Sequence, residues 1–399
     1  MYNVRVLSIR NYKDAEIEIR KIGADRDSVK WMAPKAIHYA IKMENVPVAA
    51  ANILKQEMLS KGGDVAVNRG CINCSVDVTD VIIMGTLKHF RLLIDKLKTQ
   101  RIFSLDRMAL DIERVIDNLS MEQPEREFKC GQYRMPVGNR TYIMGILNVT
   151  PDSFSDGGKF LDVDKAVERA LEMVREGADI IDIGGESTRP GSVPVPAEEE
   201  LKRVIPVIEA IIDKVDVPIS IDTYKAEVAE EALKKGVSIV NDVWGLKYDH
   251  KMAEVVAKFD AGVIIMHNKT EAVYEDVMGD IIKFFRSSLD IAEKAGIPEN
   301  SIILDPGIGF GKTYEHNLEI LNRLDELRVL GYPILLGTSR KSVIGKTLDL
   351  PPDQRKEGTA ATVALGIAKG VDFVRVHDVK EMAKVAKMSD TIVRWKRSL

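Results

Sequence analysis

Polar and charged side chains recur directly after short apolar runs in the second part of this 399-residue sequence. A single Asp or Asn in such a position is usually a turn former or a helix cap. Capping does not explain Lys341, Arg375 and His377, and the pattern follows eight successive runs. We therefore expect one common binding site. Its candidate residues are Asn148, Glu186, Asp222, Asn241, His267, Asp305, Ser339, Arg340, Lys341, Ser342, Arg375 and His377.

The types of these residues indicate a flat polar heterocycle on one side of the site. A carboxylate presents two oxygens in one plane, which match paired N–H donors such as those of a 2-amino-4-oxopyrimidine. Asp222 and Asp305 supply such carboxylates, and Asn241 adds an amide.

The remaining residues indicate an anion such as a diphosphate. Lys341, Arg375 and His377 are donors, and Ser339–Ser342 is expected to open a helix whose free N–H groups favour negative charge. Asn148 is a neutral oxygen ligand suited to complete the shell of a Mg²⁺ ion that is already bound to phosphate oxygens.

Eight apolar runs have to position these side chains. Amphipathic helical segments separate the runs, among them Ala166–Arg175, Glu198–Ile212 and Glu315–Leu330. Continuous apolar strands with crossover helices predict a parallel sheet that is covered on both faces. Eight repeats over about 255 residues match a (β/α)8 barrel, in which all strand ends meet at one rim. An open doubly wound sheet is the alternative, but its GxGxxG opening is absent. The runs are Ile143–Leu147, Ile180–Ile183, Ile219–Ile221, Ile239–Val240, Val263–Met266, Ile302–Leu304, Ile334–Leu336 and Phe373–Val374.

Two loops after the first strands, Asp152–Gly158 and Gly184–Gly191, are polar and rich in glycine. They are either ordinary surface loops or loops that close over substrate and exclude water.

Residues 1–120 are predicted to form a small α/β domain of unknown function, residues 121–140 a linker, and residues 141–399 the barrel. We find no catalytic constellation in the first part, for which an oligomerisation or stability role and a partner site both remain open. The predicted strands are Tyr2–Ile9, Ala36–Met43, Asp64–Val67 and Val81–Met84, and the predicted helices are Pro47–Ser60, Leu87–Leu97 and Arg107–Ile116.

Composition argues against several classes of protein. Lys and Arg total 57 against 61 Asp and Glu, so the net charge of −4 gives no reason to expect nucleic acid or an anionic membrane as partner. No apolar run approaches the ~20 residues of a membrane span, and the N-terminus lacks the apolar core of a signal peptide, so we expect a cytoplasmic protein. Cys71 and Cys74 have CxxC spacing, which leaves open a metal or redox site and two ordinary buried thiols.

With these residues in place, the sequence resembles the dihydropteroate synthase family over essentially all of 142–399. The first matching segment, Met144–Gly158, is long and specific. The others follow in the order of the family: Gly185–Gly191, Ile221–Thr223, Asn241–Asp242, Met266–His267, Asp305–Lys312, Ser339–Ser342 and Arg375–Asp378.

The resemblance implies roles at the matched positions. Asn148 would touch Mg²⁺ and diphosphate, and Arg375 with His377 would hold the same group. The pterin pocket would comprise Asp222, Asn241, Met266, Asp305 and Lys341. The p-aminobenzoate site would comprise Thr188, Arg189, Phe310 and Ser342. The residues implied in catalysis are Lys341, Arg375, His377 and Asp156, the last on the closing first loop.

The activity implied is the condensation of p-aminobenzoate with 6-hydroxymethyl-7,8-dihydropterin diphosphate, with Mg²⁺ as cofactor. Diphosphate leaves first, and the arylamine attacks the resulting cation-like methylene. A homodimer is expected. Two other functions remain open: a methyltetrahydrofolate-dependent corrinoid methyltransferase, which would not need the diphosphate residues, and a non-catalytic pterin-binding protein.

Overall fold

The computed structural model describes residues 2–120, 126–149, 159–186 and 194–395, without the side chains of residues 159–162. These residues belong to two compact units, divided between residues 120 and 126. Each unit has a hydrophobic core of its own.

The N-terminal unit is a small α/β domain whose antiparallel sheet has the strand order β1-β3-β2. Its helices begin where polar side chains cap them: Asn11 accepts a hydrogen bond from the backbone N–H of Asp14, and Thr86 accepts one from that of His89. The elements are α1 (Tyr12–Lys21), α2 (Arg26–Met32), β1 (His38–Pro47), α3 (Val48–Ser60), β2 (Asp64–Ala66), β3 (Val78–Thr86), α4 (Leu87–Leu97) and α5 (Leu105–Leu119).

One predicted strand of this unit is wrong. Residues 2–9 have no regular structure, and Tyr2 and Val6 are 96% and 98% exposed. An apolar alternation forms a strand only where another strand can pair with it, and these residues pair with none of the described ones. The other three predicted strands and all three predicted helices of this unit are present, whereas α1 and α2 were not predicted.

The second unit contains the predicted barrel. Eight parallel strands follow the order β11-β10-β9-β8-β7-β6-β13-β12, and a bridge between Leu304 and Ile334 joins the two ends. The strands are β6 (Tyr142–Asn148), β7 (Ile180–Gly184), β8 (Ile219–Asp222), β9 (Ile239–Asp242), β10 (Gly262–Met266), β11 (Ile302–Asp305), β12 (Leu335–Leu336) and β13 (Phe373–Val376). The helices are α6 (Lys159–Glu176), α7 (Ala197–Ile211), α8 (Ala226–Lys234), α9 (Met252–Lys258), α10 (Val277–Ala295), α11 (Tyr314–Asn322), α12 (Ser342–Leu348), α13 (Lys356–Ala368) and α14 (Val379–Val393).

Continuous burial explains why the sequences of these strands are runs of apolar residues. Every residue of β7, β8, β9 and β10 is buried, because one face packs on the helices and the other fills the barrel. The confirmed barrel places all strand ends that carry the candidate residues at one rim.

A hairpin closes the opposite end of the barrel. Residues interpreted as a linker include β4 (Arg126–Cys130) and β5 (Tyr133–Val137), which pair with each other. Phe128 is fully buried, and its ring meets that of Phe373 edge to face with centroids 5.7 Å apart. Burial raises the pKa of the Cys130 thiol to about 12, so this cysteine is an unreactive packing group.

Candidate active site

The floor of the site is a cluster of buried polar side chains carried by four strands of the barrel. Arg375 on β13 donates from Nε to Asp182 Oδ2 at 2.6 Å and from Nη2 to Asp222 Oδ2 at 2.5 Å. Asn241 on β9 donates from Nδ2 to the same oxygen of Asp182 at 3.3 Å. Among the described residues, Oδ1 of Asp182 and Oδ1 of Asp222 are buried without a hydrogen-bond partner. The floor therefore contains two buried acceptor oxygens that no described residue satisfies.

Asp305 adds a third buried carboxylate to this floor. Its Oδ1 accepts from the backbone N–H of Gly307 at 2.8 Å. A Cβ placed on Gly337 would lie 3.7 Å from Asp305 Oδ2 and 3.9 Å from Arg375 Cβ, so the two side chains flank the same glycine. The structure thus brings Asp222, Asn241, Asp305 and Arg375 together as predicted.

Burial controls the electrostatics of the floor. Desolvation raises the pKa of Asp222 to about 7, although the guanidinium of Arg375 acts in the opposite direction. Desolvation likewise raises the pKa of Asp305. Burial alone would lower the pKa of Arg375, but the carboxylates of Asp182 and Asp222 overcome it and raise that pKa. Arg375 therefore stays charged between the two acids.

Asn148 ends β6 beside this floor and is half-buried. A Cβ placed on Gly184, its partner in β7, would lie 3.7 Å from Asn148 Oδ1 and 3.8 Å from Asp222 Oδ2. The space beside Gly184 is therefore bordered by both the Asn148 oxygen and the Asp222 carboxylate.

The cationic side of the rim comes from the loops after β12 and β13. His377 is held by Ser339, whose Oγ lies 2.9 Å from His377 Nδ1 and accepts from the His377 backbone N–H at 3.1 Å. Lys341 precedes α12, which begins at Ser342 as predicted. Arg340 instead forms a bidentate ion pair with Asp378, through Nε at 3.0 Å and Nη2 at 2.6 Å. Its guanidinium is therefore committed to the protein itself.

An apolar wall is formed by residues at the end of β10 and in the loops after β8, β9 and β11. Met266 and Phe310 are buried in one cluster with Tyr224 and Val243. The Nζ atom of Lys341 lies 4.0 Å from the centroid of the Phe310 ring. Met266 and Phe310 thus supply an apolar surface, and the Lys341 ammonium lies over the Phe310 ring.

The loop after β11 is fixed by a second lysine, Lys312. Its Nζ donates to the carbonyls of Gly307 and Phe310, both at 2.9 Å, and lies 2.8 Å from His267 Nδ1. Burial, followed by the charge of Lys312, lowers the pKa of His267 to about 2, so His267 is a neutral acceptor. Gly307 has a φ of +67°, and a Cβ there would lie 2.1 Å from the His267 carbonyl oxygen. The loop that carries Asp305 and Phe310 therefore has one fixed conformation.

A buried ionic network follows β7. Lys225 binds the carboxylates of Glu186 and Glu200, whose side chains are 6% and 1% exposed, and Tyr224 donates to Glu186 Oε1 at 2.9 Å. The network fixes the start of the loop after β7 against the loop after β8. Of its members, only Glu186 was predicted.

We expect Lys225→Met to lower the free energy of unfolding by about 3–5 kcal/mol, because it leaves two buried carboxylates without a counter-charge. Urea denaturation at pH 7 would measure the change. The control is Lys234→Met, which removes an exposed pair with Glu231 on α8 and should cost less than about 1 kcal/mol. Equal changes in the two variants would contradict a structural role for the network.

Three predicted site residues, Asp156, Thr188 and Arg189, lie outside the described residues. The most important residue that was missed is Asp182. The available signal was a carboxylate inside the apolar run Ile180–Ile183, since a charge in a fully buried strand needs a dedicated partner.

Cys71 and Cys74 belong to no potential metal cluster among the residues that the structure describes. Within the described ranges, no group of three or more His, Cys, Asp or Glu side chains could hold a metal ion. Cys71 is buried and Cys74 is exposed, so the expectation of two buried thiols is correct for Cys71 only. In the same ranges, no helix is long and apolar enough to cross a membrane.

Comparison with known proteins identifies the family of the barrel unit. The sequence model of the family described as pterin binding enzyme matches residues 144–377. A dihydropteroate synthase of Clostridium beijerinckii is 57% identical over 267 residues, which cover 67% of this chain and 99% of that protein. The crystal structure of a Clostridium difficile dihydropteroate synthase in the presence of pteroic acid is 59% identical, with a TM-score of 0.63, over 67% of this chain and 99% of the other.

The alignment with two of the relatives extends into the N-terminal unit. A probable bifunctional folylpolyglutamate synthase/dihydropteroate synthase of Halobacterium salinarum is 40% identical over 394 residues. The alignment covers 94% of this chain and 47% of that protein, so it includes most of the N-terminal unit. The family match itself runs from β6 to the residue after β13, and on this evidence the chain belongs to the pterin-binding enzyme family.

Proposed function

We propose that the protein is a dihydropteroate synthase, which joins p-aminobenzoate to 6-hydroxymethyl-7,8-dihydropterin diphosphate and releases diphosphate. The observation that carries the proposal is the arrangement of the site. Buried acceptor oxygens of Asp222 and Asp182 form the floor, and Lys341 and His377 lie at the rim of the same barrel. One ligand that combines a donor-rich ring with an anion matches both parts.

The floor would bind the pterin ring. Asp222, Asn241 and Asp305 offer acceptors and an amide to the ring's N–H groups, and Met266 offers a flat apolar contact. Net negative charge on the floor would also favour the electron-poor methylene that forms when diphosphate departs.

Cations and donors would stabilise the departing diphosphate. Lys341 and His377 lie at the rim, and Arg375 adds its positive charge from the floor. Charge that develops on a leaving group is stabilised best by groups that are already in place, and Ser339 fixes His377 in this way. No covalent nucleophile is needed.

The arylamine would then approach along the apolar wall. Phe310 supplies a ring face beneath Lys341, and Ser342 begins α12 next to it. A neutral arylamine needs little assistance from a base, so we assign Lys341 a binding and charge-stabilising role.

Asn148 fits the expected magnesium ion as a single protein ligand. An amide oxygen is a hard ligand, and Mg²⁺ commonly takes one or two ligands from protein and the rest from phosphate and water. When bound, the ion would neutralise charge on the diphosphate.

Chelation of divalent cations is expected to abolish turnover, and added Mg²⁺ is expected to restore it. Asn148→Ala should raise the Mg²⁺ concentration needed for half-maximal turnover by about 10-fold, since one oxygen ligand is lost. Turnover measured against free Mg²⁺ tests both statements. Full activity in a chelator, or an unchanged Mg²⁺ requirement in the variant, would contradict them.

The activity itself is tested by following diphosphate release and product mass with purified full-length protein. Release that depends on p-aminobenzoate, with formation of dihydropteroate, supports the proposal. Pterin binding without turnover would indicate a non-catalytic protein, and methyl transfer to a corrinoid would indicate the methyltransferase. A cytoplasmic location stays a prediction.

We further propose that the barrel unit forms a homodimer through α13 and α14. Leu365, Met388, Ile392 and Trp395 are all at least 60% exposed, and the three on or just after α14 recur at helical spacing. Ile392→Glu should give a monomer by light scattering, whereas Lys387→Glu, about 140° away around the helix, should not. A monomeric wild-type protein would contradict the proposal.

A further inference from the structure

Asp182 is an acidic side chain in a place where a charge is costly. It lies within β7, where every residue is buried, and its own exposure is 0%. A buried carboxylate destabilises a protein unless hydrogen bonds and a counter-charge compensate for its desolvation. Its retention inside the barrel therefore calls for a purpose other than stability.

The contacts of Asp182 lead to two residues of the pterin floor. Its Oδ2 accepts from Arg375 Nε at 2.6 Å and from Asn241 Nδ2 at 3.3 Å. In the strand order β9-β8-β7-β6-β13, these partners lie two strands away on either side. Asp182 thus connects opposite parts of the floor across the barrel interior.

The contact with Asn241 fixes which end of its amide faces a ligand. A carboxylate only accepts hydrogen bonds, so the group of Asn241 that meets Asp182 has to be the amide NH₂. The amide oxygen is then directed away from Asp182 and is available to an N–H donor.

The contact with Arg375 has a parallel consequence for Asp222. Arg375 divides its guanidinium between the two acids, and one oxygen of Asp222 keeps no partner among the described residues. Without Asp182, the guanidinium would lose the acid that binds its Nε and would compete with the ligand for Asp222.

We propose that Asp182 is a positioning residue of the pterin site: it holds Arg375 and Asn241 so that Asp222 and the Asn241 amide both present acceptor oxygens to the N–H edge of the ring. The inference rests on the proposed function and adds to it a determinant of ring recognition.

The test is the isosteric variant Asp182→Asn, with titration calorimetry of 6-hydroxymethylpterin, which carries no diphosphate, and with the KM for p-aminobenzoate. We expect pterin binding to weaken by about 10- to 100-fold, as for a lost hydrogen bond to a charged group. The KM for p-aminobenzoate should change by less than about 3-fold, a split that a general loss of structure would not give. Because one of the two contacts of Asp182 acts through Asn241, the losses in the double variant Asp182→Asn/Asn241→Ala should be less than additive.

Several outcomes would overturn this role. The first is unchanged pterin affinity in a folded Asp182→Asn protein. The second is an increase in the KM for p-aminobenzoate as large as the loss of pterin affinity. The third is a loss of pterin affinity in the double variant that equals the sum of the losses in the two single variants. If Asp182→Asn does not fold, the test uses Arg375→Lys, because a lysine cannot bind both Asp182 and Asp222 as the guanidinium does. Undiminished pterin binding by Arg375→Lys would also overturn the role. Wild-type protein that neither binds pterin nor turns over contradicts the proposed function instead.

Discussion

Replacement of Lys341 by methionine is expected to lower kcat by about 100- to 1000-fold, the usual cost of removing one preorganised group that stabilises charge in the transition state. Methionine keeps most of the side-chain length and can still pack on the Phe310 ring, whose centroid lies 4.0 Å from the lysine Nζ. The loss would therefore report on the charge. Steady-state kinetics with both substrates measures it.

Lys346→Met is the matched control for this experiment. Lys346 is exposed in the last turn of the same helix, α12, so its replacement removes an equal charge away from the rim. We expect its kcat to stay within about 2-fold of the wild type, as for surface substitutions in general. Equal kinetics for the two variants would show that Lys341 takes no part in turnover.

Replacement of Asp222 by asparagine is expected to weaken pterin binding by about 100-fold or more. The carboxylate is buried and only accepts hydrogen bonds, whereas an amide presents an NH₂ group to ring donors that then remain unpaired. Asp182 would still neutralise Arg375, so the fold should survive. Titration calorimetry with 6-hydroxymethylpterin measures the change in Kd.

The control for Asp222→Asn is Asp242→Asn, on the neighbouring strand β9. Asp242 is also a buried carboxylate at a strand end, but its oxygens accept from the backbone N–H groups of Trp244 and Leu246. Its replacement should lower stability and leave the Kd for pterin nearly unchanged. Pterin binding that is weakened equally by both substitutions would remove Asp222 from the proposed ring site.

The barrel could be predicted from the sequence because its strands are buried on both faces. Runs such as Val263–Met266 have no polar interruption, and a polar residue follows each run where the strand reaches the rim. The geometry of a parallel barrel then brings Asp222, Asn241 and Asp305 together without knowledge of any contact.

Other features depend on contacts that spacing cannot reveal. The run Tyr2–Ile9 alternates like a strand but has no partner among the described residues. Asp182 was overlooked because it interrupts an apolar run only once, and its partners lie 59 and 193 positions away in the sequence. The role of Lys312 depends on a loop conformation that exists only when Gly307 adopts a positive φ.

The hairpin of β4 and β5 determines where this protein can be shortened. Phe128, Cys130 and Met135 pack with inward-facing residues of the strands, so they belong to the barrel although they precede its first strand. A shortened chain that starts at residue 141 would lose this cover and admit water to the inner side of Phe373, and loss of Phe128 alone is worth about 3–5 kcal/mol. Inactivity of such a chain would say nothing about the N-terminal unit, whose contribution can be measured only if the cut is made ahead of residue 126.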